Sequence, residues 1–506
     1  MTDRHRQTYP APRGLPHADA LSAAPRAVVV GAGIAGLTAA TALAERGVAV
    51  QVIEREPYLG GRVGGWTEHH DGAAFAMNRG FHAFFRQYYN LRALLRRVDP
   101  QLRMLTPLDD YPLIDAAGRR DSFRGLPRTP PWNALAFALR SKTFRLGDLA
   151  RLDPRAAAPL AAVSVPDIYR RLDHVDADTF LKSINFPQAA RHLAFEVFSR
   201  SFFADPALLS AAELVTMFHI YFLGSSEGLI FDVPDANFDV SLWDPLRRYL
   251  DERGVRFRLG CAVARIDTDT GTGFHVHTDS GDRLAADAVV LATDTAGLQQ
   301  IVAASTGLGD GPWRTGIAAL RTAPPFEVHR LWLDRRVAPE RTAFLGTAGH
   351  KPLDNISVLE RYERDAATWT RRHGGSVIEL HCYAMESASV GAAATRRLHE
   401  LYPETASVGV VRERIVHRSD CPLFAPGTYT GRPAVTTPAP GLVLAGDGIR
   451  VDLPVALMER AATTGWSAAN HLLTRWGLAG HELCTVPNRG RSALLRRLAA
   501  RAGRPR

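Results

Sequence analysis

Cysteine and lysine are scarce in this 506-residue chain, at four and three residues, and long apolar runs are missing. Cys261, Cys382, Cys421 and Cys484 show no CxxC spacing. That argues against a disulfide framework or a zinc site and fits a reducing, cytoplasmic setting. No Cys-x-His element pairs with a Cys-x-x-His element, so an iron–sulfur entry for electrons is not expected, and no GxSxG or triad spacing points to hydrolysis. His69-His70-Asp71 reads as a solvated loop, since adjacent residues rarely share one ion, and no metal is expected. The longest apolar stretch worth testing, Leu214 to Leu223, is about half of the ~20 residues a spanning helix needs. The first 25 residues are polar and Pro/Ala-rich, lack the apolar run of a secretory signal, and read as a flexible tail. Acids are absent from residues 489–506, which hold seven arginines, so seven of the nine net positive charges sit there. The remaining chain is near neutral, which argues against a nucleic-acid partner.

What is present is globular material, 46% apolar and 22% charged, long enough for two or three domains. Ala27-Val28-Val29-Val30 predicts a buried strand, Gly31-Ala32-Gly33-Ile34-Ala35-Gly36 follows at once, and Leu37 to Arg46 predicts a helix closed by Gly47. Val48 to Ile53 gives a second strand ending at Glu54. This is a β-α-β unit with the physical requirements of a dinucleotide site. Gly31 allows the tight turn, Gly33 the close approach of pyrophosphate, and Gly36 the packing of helix on strand. The helix N-terminus faces the phosphates, and Glu54 is spaced to accept hydrogen bonds from ribose hydroxyls.

Two further elements lengthen the expected ligand. Gly60-Gly61-Arg62 offers an arginine for phosphate, and Gly446-Asp447-Gly448 offers a carboxylate for a sugar-alcohol hydroxyl ahead of a helix from about Leu457 to Leu473. Together these motifs resemble the flavoprotein superfamily of amine oxidases and phytoene-type carotene desaturases. The resemblance implies FAD, an α/β fold with a Rossmann-like, glutathione-reductase-like FAD-binding domain, and an inserted α+β substrate domain. It places Gly61 and Arg62 along the pyrophosphate, Val263 with its backbone at adenine, Asp447 near the phosphate–ribityl region, and Val455 among the cofactor contacts. The expected FAD-binding parts are 26–126, 224–310 and 415–476. A helical substrate and membrane-contact region spans 127–223, a substrate-domain sheet spans 311–414, and a basic tail spans 477–506.

Finer resemblance lies in Met77 to Asn90 (MNRGFHAFFRQYYN), Arg200 to Pro206, Pro352 to Arg361 and Gly374 to His381. These stretches are similar to the isorenieratene synthases, carotene desaturase/methyltransferases that turn the β-ionone ring of β-carotene into an aromatic ring. That chemistry implies loss of hydrogens to the flavin and an intramolecular 1,2-methyl shift, because a ring carbon bearing two methyl groups cannot become aromatic. A separate electron acceptor is implied, to reoxidise the flavin. The resemblance brings Arg79 and His82 near the isoalloxazine, with His82 and Asp452 as acid–base candidates and Phe81, Phe84 and Phe85 beside the polyene. Asp452 also suits a helix-capping role, and the aromatics also suit an ordinary core. A C40 hydrocarbon is met at a bilayer, and Pro130 to Arg145 combines Trp, Phe and Leu with flanking bases as an interfacial helix does. Peripheral attachment to the inner face of the cell membrane is therefore expected, with the arginine-rich tail adding attraction to anionic lipid. A non-aromatising desaturase or isomerase, an amine oxidase and a lipid carrier on the same fold stay open.

Overall fold

In the computed structural model, which describes residues 3–143, 147, 151–153, 155–187, 202–269, 273–386, 390–490, 493 and 496–497, the valine run Arg26–Val30 is the central strand of a five-stranded parallel sheet. The spatial order is Arg256–Leu259, Ala49–Glu54, Arg26–Val30, Ala288–Leu291, Leu442–Leu444. Both faces are covered, so the run is apolar without alternation. Ala27 and Val29 feed one core and Val28 and Val30 the other. Three separated stretches of chain thus meet in one sheet.

Four helices bear on the site: α1 (Ile34–Ala44), α2 (Trp132–Arg140), α3 (Ala211–Phe218) and α4 (Leu457–Arg475). Every residue of α1 is buried, and its Ala-rich surface lets α4 lie close against it. At Gly465 of α4 an added Cβ would stand 2.4 Å from the Ala35 carbonyl oxygen and 2.8 Å from Thr38 Cβ. At Gly36 it would stand 1.9 Å from the Gly31 carbonyl oxygen, the helix-on-turn packing that the motif requires.

A second, seven-stranded sheet runs Val410–Arg418, Phe326–Leu333, Ser376–Cys382, Asn355–Val358, Phe344–Ala348, Leu113–Asp115, Arg120–Asp121. It is antiparallel except between Phe344–Ala348 and Leu113–Asp115. Strands Phe326–Leu333 and Ser376–Cys382 are buried at every position.

The N-terminal residues differ from the expected loose tail. Gln7–Tyr9 pairs antiparallel with Leu483–Thr485, and Leu15 exchanges 2.8 Å backbone hydrogen bonds with Gly477 and Ala479. The stretch 477–490, expected as the start of a loose basic tail, is the other half of that clasp. A short strand is stable only with a partner, and here the partner is some 470 residues away. Most of the arginine-rich stretch 489–506 lies outside the described residues, as do Arg200, Ser201, Phe144 and Arg145. Among the described residues, no helix is long and apolar enough to cross a membrane.

Helix α3 is tied to α4 by buried charge. Glu213 receives Arg432 on one oxygen and Arg460 of α4 on the other, the latter at 2.8 Å. Burial favours the neutral acid, but Arg460 and Arg432 outweigh it and hold the carboxyl at about 2. A depressed carboxyl stabilises the fold fully above its ordinary value near 4.5 and loses that contribution as pH falls towards 2. Glu213→Gln is therefore expected to cost about 3–5 kcal/mol at neutral pH, because two guanidiniums lose their counter-charge. Denaturant titrations of both proteins should show the gap narrowing as pH drops from about 4.5 to about 2. A gap independent of pH would show that the pair does not act as an ionic clamp.

Candidate active site

One continuous cavity of about 650 Å³ runs from the Gly-rich turns to the second sheet. At its first end, Gly31 (φ 100°) turns the chain and Gly33 begins α1 with no side chain capping it. The first-turn N–H groups have no carbonyl within the helix, and Gly33, Ile34 and Ala35 line the cavity. The Gly60–Gly61 turn lies opposite, bridged to Gly33, and a Cβ on Gly61 would stand 3.1 Å from Gly33 Cα. The result is a slot walled by bare backbone, where pyrophosphate can approach N–H groups.

Glu54 also lines the cavity. One of its oxygens accepts from the Ala32 N–H at 2.6 Å and the other from the Glu56 N–H at 2.9 Å. Burial raises its pKa despite these two donors. Arg62 pairs with Asp447, joining turns that lie far apart in sequence. Burial opposes the charge on Arg62, yet Asp447 keeps its pKa well above the ordinary value. Val263 and Gly446 complete this end. Four buried polar atoms of lining residues have no protein partner among the described residues: Thr293 Oγ1, Arg79 Nε, Asp420 Oδ1 and Asn355 Oδ1. Bare backbone, a buried acid in the wall, a helix N-terminus and orphaned polar atoms fit a flavin dinucleotide.

The far end is aromatic. Phe81 lies 4.6 Å from Phe344 and 6.0 Å from Phe231, and Phe85 packs 4.6 Å from Tyr221. Phe231 continues to Tyr111 at 4.6 Å, Tyr111 stacks on Phe123 at 4.4 Å, and Phe123 stacks on Phe137 of α2 at 4.8 Å. Arg79 lies in the wall with Nη2 2.6 Å from Asp420 Oδ2, so its charge is paired.

His82 lines the cavity with Nδ1 2.8 Å from the Gly80 carbonyl, which makes Nδ1 the protonated nitrogen. Burial lowers its pKa most; His381, Arg79 and Arg62 add to that against the Gly80 hydrogen bond, leaving about 4. A neutral imidazole facing positive neighbours is a weak proton acceptor.

Several expected site residues sit elsewhere. Phe84 is buried in the core under the parallel sheet while its neighbour Phe85 faces the cavity, because successive residues of the strand Phe84–Phe85 point to opposite faces. Asp452 is exposed, lies outside the cavity and accepts the Tyr429 hydroxyl at 2.7 Å, so it does not serve as a base at the flavin. Val455 is buried behind the cavity, with its carbonyl taken by Arg460 Nε at 3.0 Å. Gly36 acts through packing and does not line the cavity.

The sequence reading passed over Glu379, His381 and Tyr383. Their i, i+2, i+4 spacing places them on one face along the strand Ser376–Cys382 and just beyond it. His381 Nε2 is 2.8 Å from Glu379 Oε1, and Nδ1 is 2.7 Å from the Tyr383 hydroxyl. Arg330, opposite Glu379 in register, donates to Glu379 Oε2 from Nε at 2.9 Å and Nη2 at 2.6 Å. Burial favours a neutral Glu379, but Arg330 and His381 hold it ionised, at about 2.

The model of the family described as flavin containing amine oxidoreductase matches residues 34–473. The carotenoid phi-ring synthase of Streptomyces griseus is 57% identical over 506 residues, covering 99% of this chain and 97% of that protein. The carotenoid phi-ring synthase of Chlorobaculum tepidum is 26% identical, covering 94% and 92%. Among solved structures, cyclohexylamine oxidase from Brevibacterium oxydans superposes with a TM-score of 0.66 at 15% identity, covering 90% of this chain and all of that one, which shows the shared fold. The chain belongs to the flavin-containing amine oxidoreductase family, on the branch that holds the carotenoid phi-ring synthases.

Proposed function

We propose that this protein is an FAD-dependent carotenoid oxidoreductase that converts the β-ionone ring of β-carotene into an aromatic, φ-type ring with 1,2-methyl migration. The observation that carries this reading is the single cavity that joins a dinucleotide slot to an aromatic-walled chamber. The 57% identity to a phi-ring synthase favours aromatisation over a non-aromatising desaturase, an isomerase or an amine oxidase. Bound FAD supplies the two-electron acceptor.

The chain's own residues do the rest. Gly31, Gly33 and Gly61 present backbone to pyrophosphate, Glu54 takes the ribose hydroxyls, and Val263 presents its backbone to adenine. Arg62 and Asp447, paired to each other, close the slot between the two chain ends. Phe81 and Phe85 offer ring faces to a substrate that develops positive charge. A chamber that excludes water would keep that charge from being intercepted before the methyl group moves. Arg79 and His82 flank the reacting end as fixed polar wall.

Access to a hydrocarbon substrate comes through α2. Trp132, Leu135 and Leu139 are 60%, 43% and 55% exposed, at i, i+3 and i+7, while Phe137 on the other side reaches the aromatic ladder. Arg128, Arg140 and Lys142 flank the exposed face. That pattern supports a helix lying in the headgroup region of an anionic membrane, joined to the chamber through the Phe137–Phe123 stack.

Expression in β-carotene-producing cells should yield a pigment whose ring has lost four hydrogens and kept all its methyl carbons, read by chromatography, mass and NMR. A product with an unchanged ring, or peroxide released from a soluble amine, would overturn the reading. Replacing Trp132, Leu135 and Leu139 together by serine should lower co-flotation with anionic liposomes by about tenfold or more. Flotation equal to the parent would remove α2 as the docking face.

A further inference from the structure

Removing hydrogen from a ring as hydride leaves a proton that some group must take. His82 is a weak acceptor for it, because burial, with Arg79 and Arg62 adding to it, brings its pKa down to about 4. The wall formed by the second sheet holds a different arrangement, a line of three groups that ends in the cavity.

We propose that Tyr383, backed by His381 and Glu379, takes the proton released from the substrate ring. This rests on the proposed function. Tyr383 and His381 both line the cavity. The line of contacts runs Tyr383 Oη to His381 Nδ1 at 2.7 Å, then His381 Nε2 to Glu379 Oε1 at 2.8 Å. Glu379 is anchored by the two hydrogen bonds from Arg330, and both residues are almost fully buried. The Phe81 N–H also points at His381 Nε2, at 3.1 Å. The carboxylate contact is shorter and ionic, so Nε2 carries the hydrogen and Nδ1 presents its lone pair to the Tyr383 hydroxyl.

The transfer then balances. FAD, when bound, would supply the two-electron acceptor for the hydride. A ring C–H bond breaks, its electron pair remains in the ring as a new double bond, and the proton goes to Tyr383 Oη. The Tyr383 hydroxyl proton moves at the same time to His381 Nδ1. The imidazolium that forms lies against Glu379, which is the logic of a nucleophile–base–orienter triad applied to a proton acceptor. Asn355 Nδ2, 3.3 Å from the Tyr383 oxygen, helps hold it in place. Tyr383 is the catalytic residue here, and His381 and Glu379 are positioning residues.

The test uses the full-length flavoprotein with β-carotene in liposomes. Tyr383→Phe keeps the ring that packs on Phe203 at 4.9 Å and removes only the hydroxyl. It should slow formation of the aromatic ring by about 100-fold. FAD content, and carotene binding read by quenching of flavin fluorescence, should stay within about twofold of the parent. His381→Ala should lose activity similarly and regain it with added imidazole, but not with pyrrole, which has the same size and no basic nitrogen. Aromatisation by Tyr383→Phe at the parent rate, or equal rescue by pyrrole, would overturn the relay while leaving the proposed function intact. A parent protein that binds β-carotene and leaves its ring unchanged would overturn both.

Discussion

The approach of α4 to α1 at Gly465 is the constraint on which the rest of the molecule depends. Only hydrogen fits between the α4 backbone and Ala35, and a side chain there would force apart two helices more than 400 residues distant in sequence. Overpacking of this kind costs about 1–3 kcal/mol in a core, but the larger consequence is geometric. Ile34 and Ala35 of α1 and Leu457, Met458 and Ala461 of α4 all reach the same cavity. With the helices in register, Arg62 from one chain end meets Asp447 from the other. The dinucleotide slot is therefore a property of the α1–α4 contact as much as of the glycine motif.

Charge buried in the walls is the second device. Glu213 with Arg432 and Arg460, and Glu379 with Arg330, are taken wholly out of water. Such pairs contribute little net stability against apolar replacements but are costly to break singly, so they fix one arrangement of neighbouring elements. The two histidines at the cavity show what this does to chemistry. His82 has a carbonyl partner and positive neighbours and stays neutral, whereas His381 has an anchored carboxylate. The two imidazoles thus have different partners because of a strand pairing between Arg330 and Glu379.

How much of this was legible in the sequence follows from how local each determinant is. The β-α-β unit, Gly31, Gly33, Gly36 and Glu54 were legible because turn, helix start and acid lie within about thirty residues and each has a backbone reason. Phe84 and Phe85 were not separable, since adjacent strand residues face opposite ways and the register is set by pairing with Phe231 and Asp232. Asp452 looked close to Asp447 in sequence, but the intervening turn carries it outward to Tyr429. Glu379 and His381 lie on a strand buried on both faces, with Tyr383 just beyond its end, and there alternation does not mark which face meets a cavity. The pairing of Gln7–Tyr9 with Leu483–Thr485 left no local trace at all.

The satisfaction of polar atoms along the wall separates the cavity into two kinds of space. A buried polar atom without a partner is costly, so its presence marks where a polar ligand belongs. Thr293 Oγ1, Arg79 Nε and Asp420 Oδ1 are orphaned beside the glycine turns and the Arg62–Asp447 pair, and Arg62 is among the charges acting on Asp420. In the aromatic chamber the hydroxyls are closed on the protein itself, Tyr88 with Tyr221 at 3.0 Å and Tyr111 on the Leu229 carbonyl at 2.6 Å. A polyene offers no hydrogen bond, so a wall that already satisfies itself is the wall such a ligand requires. The exception at that end is Asn355 Oδ1, and it sits beside Tyr383, where a proton has to be handled.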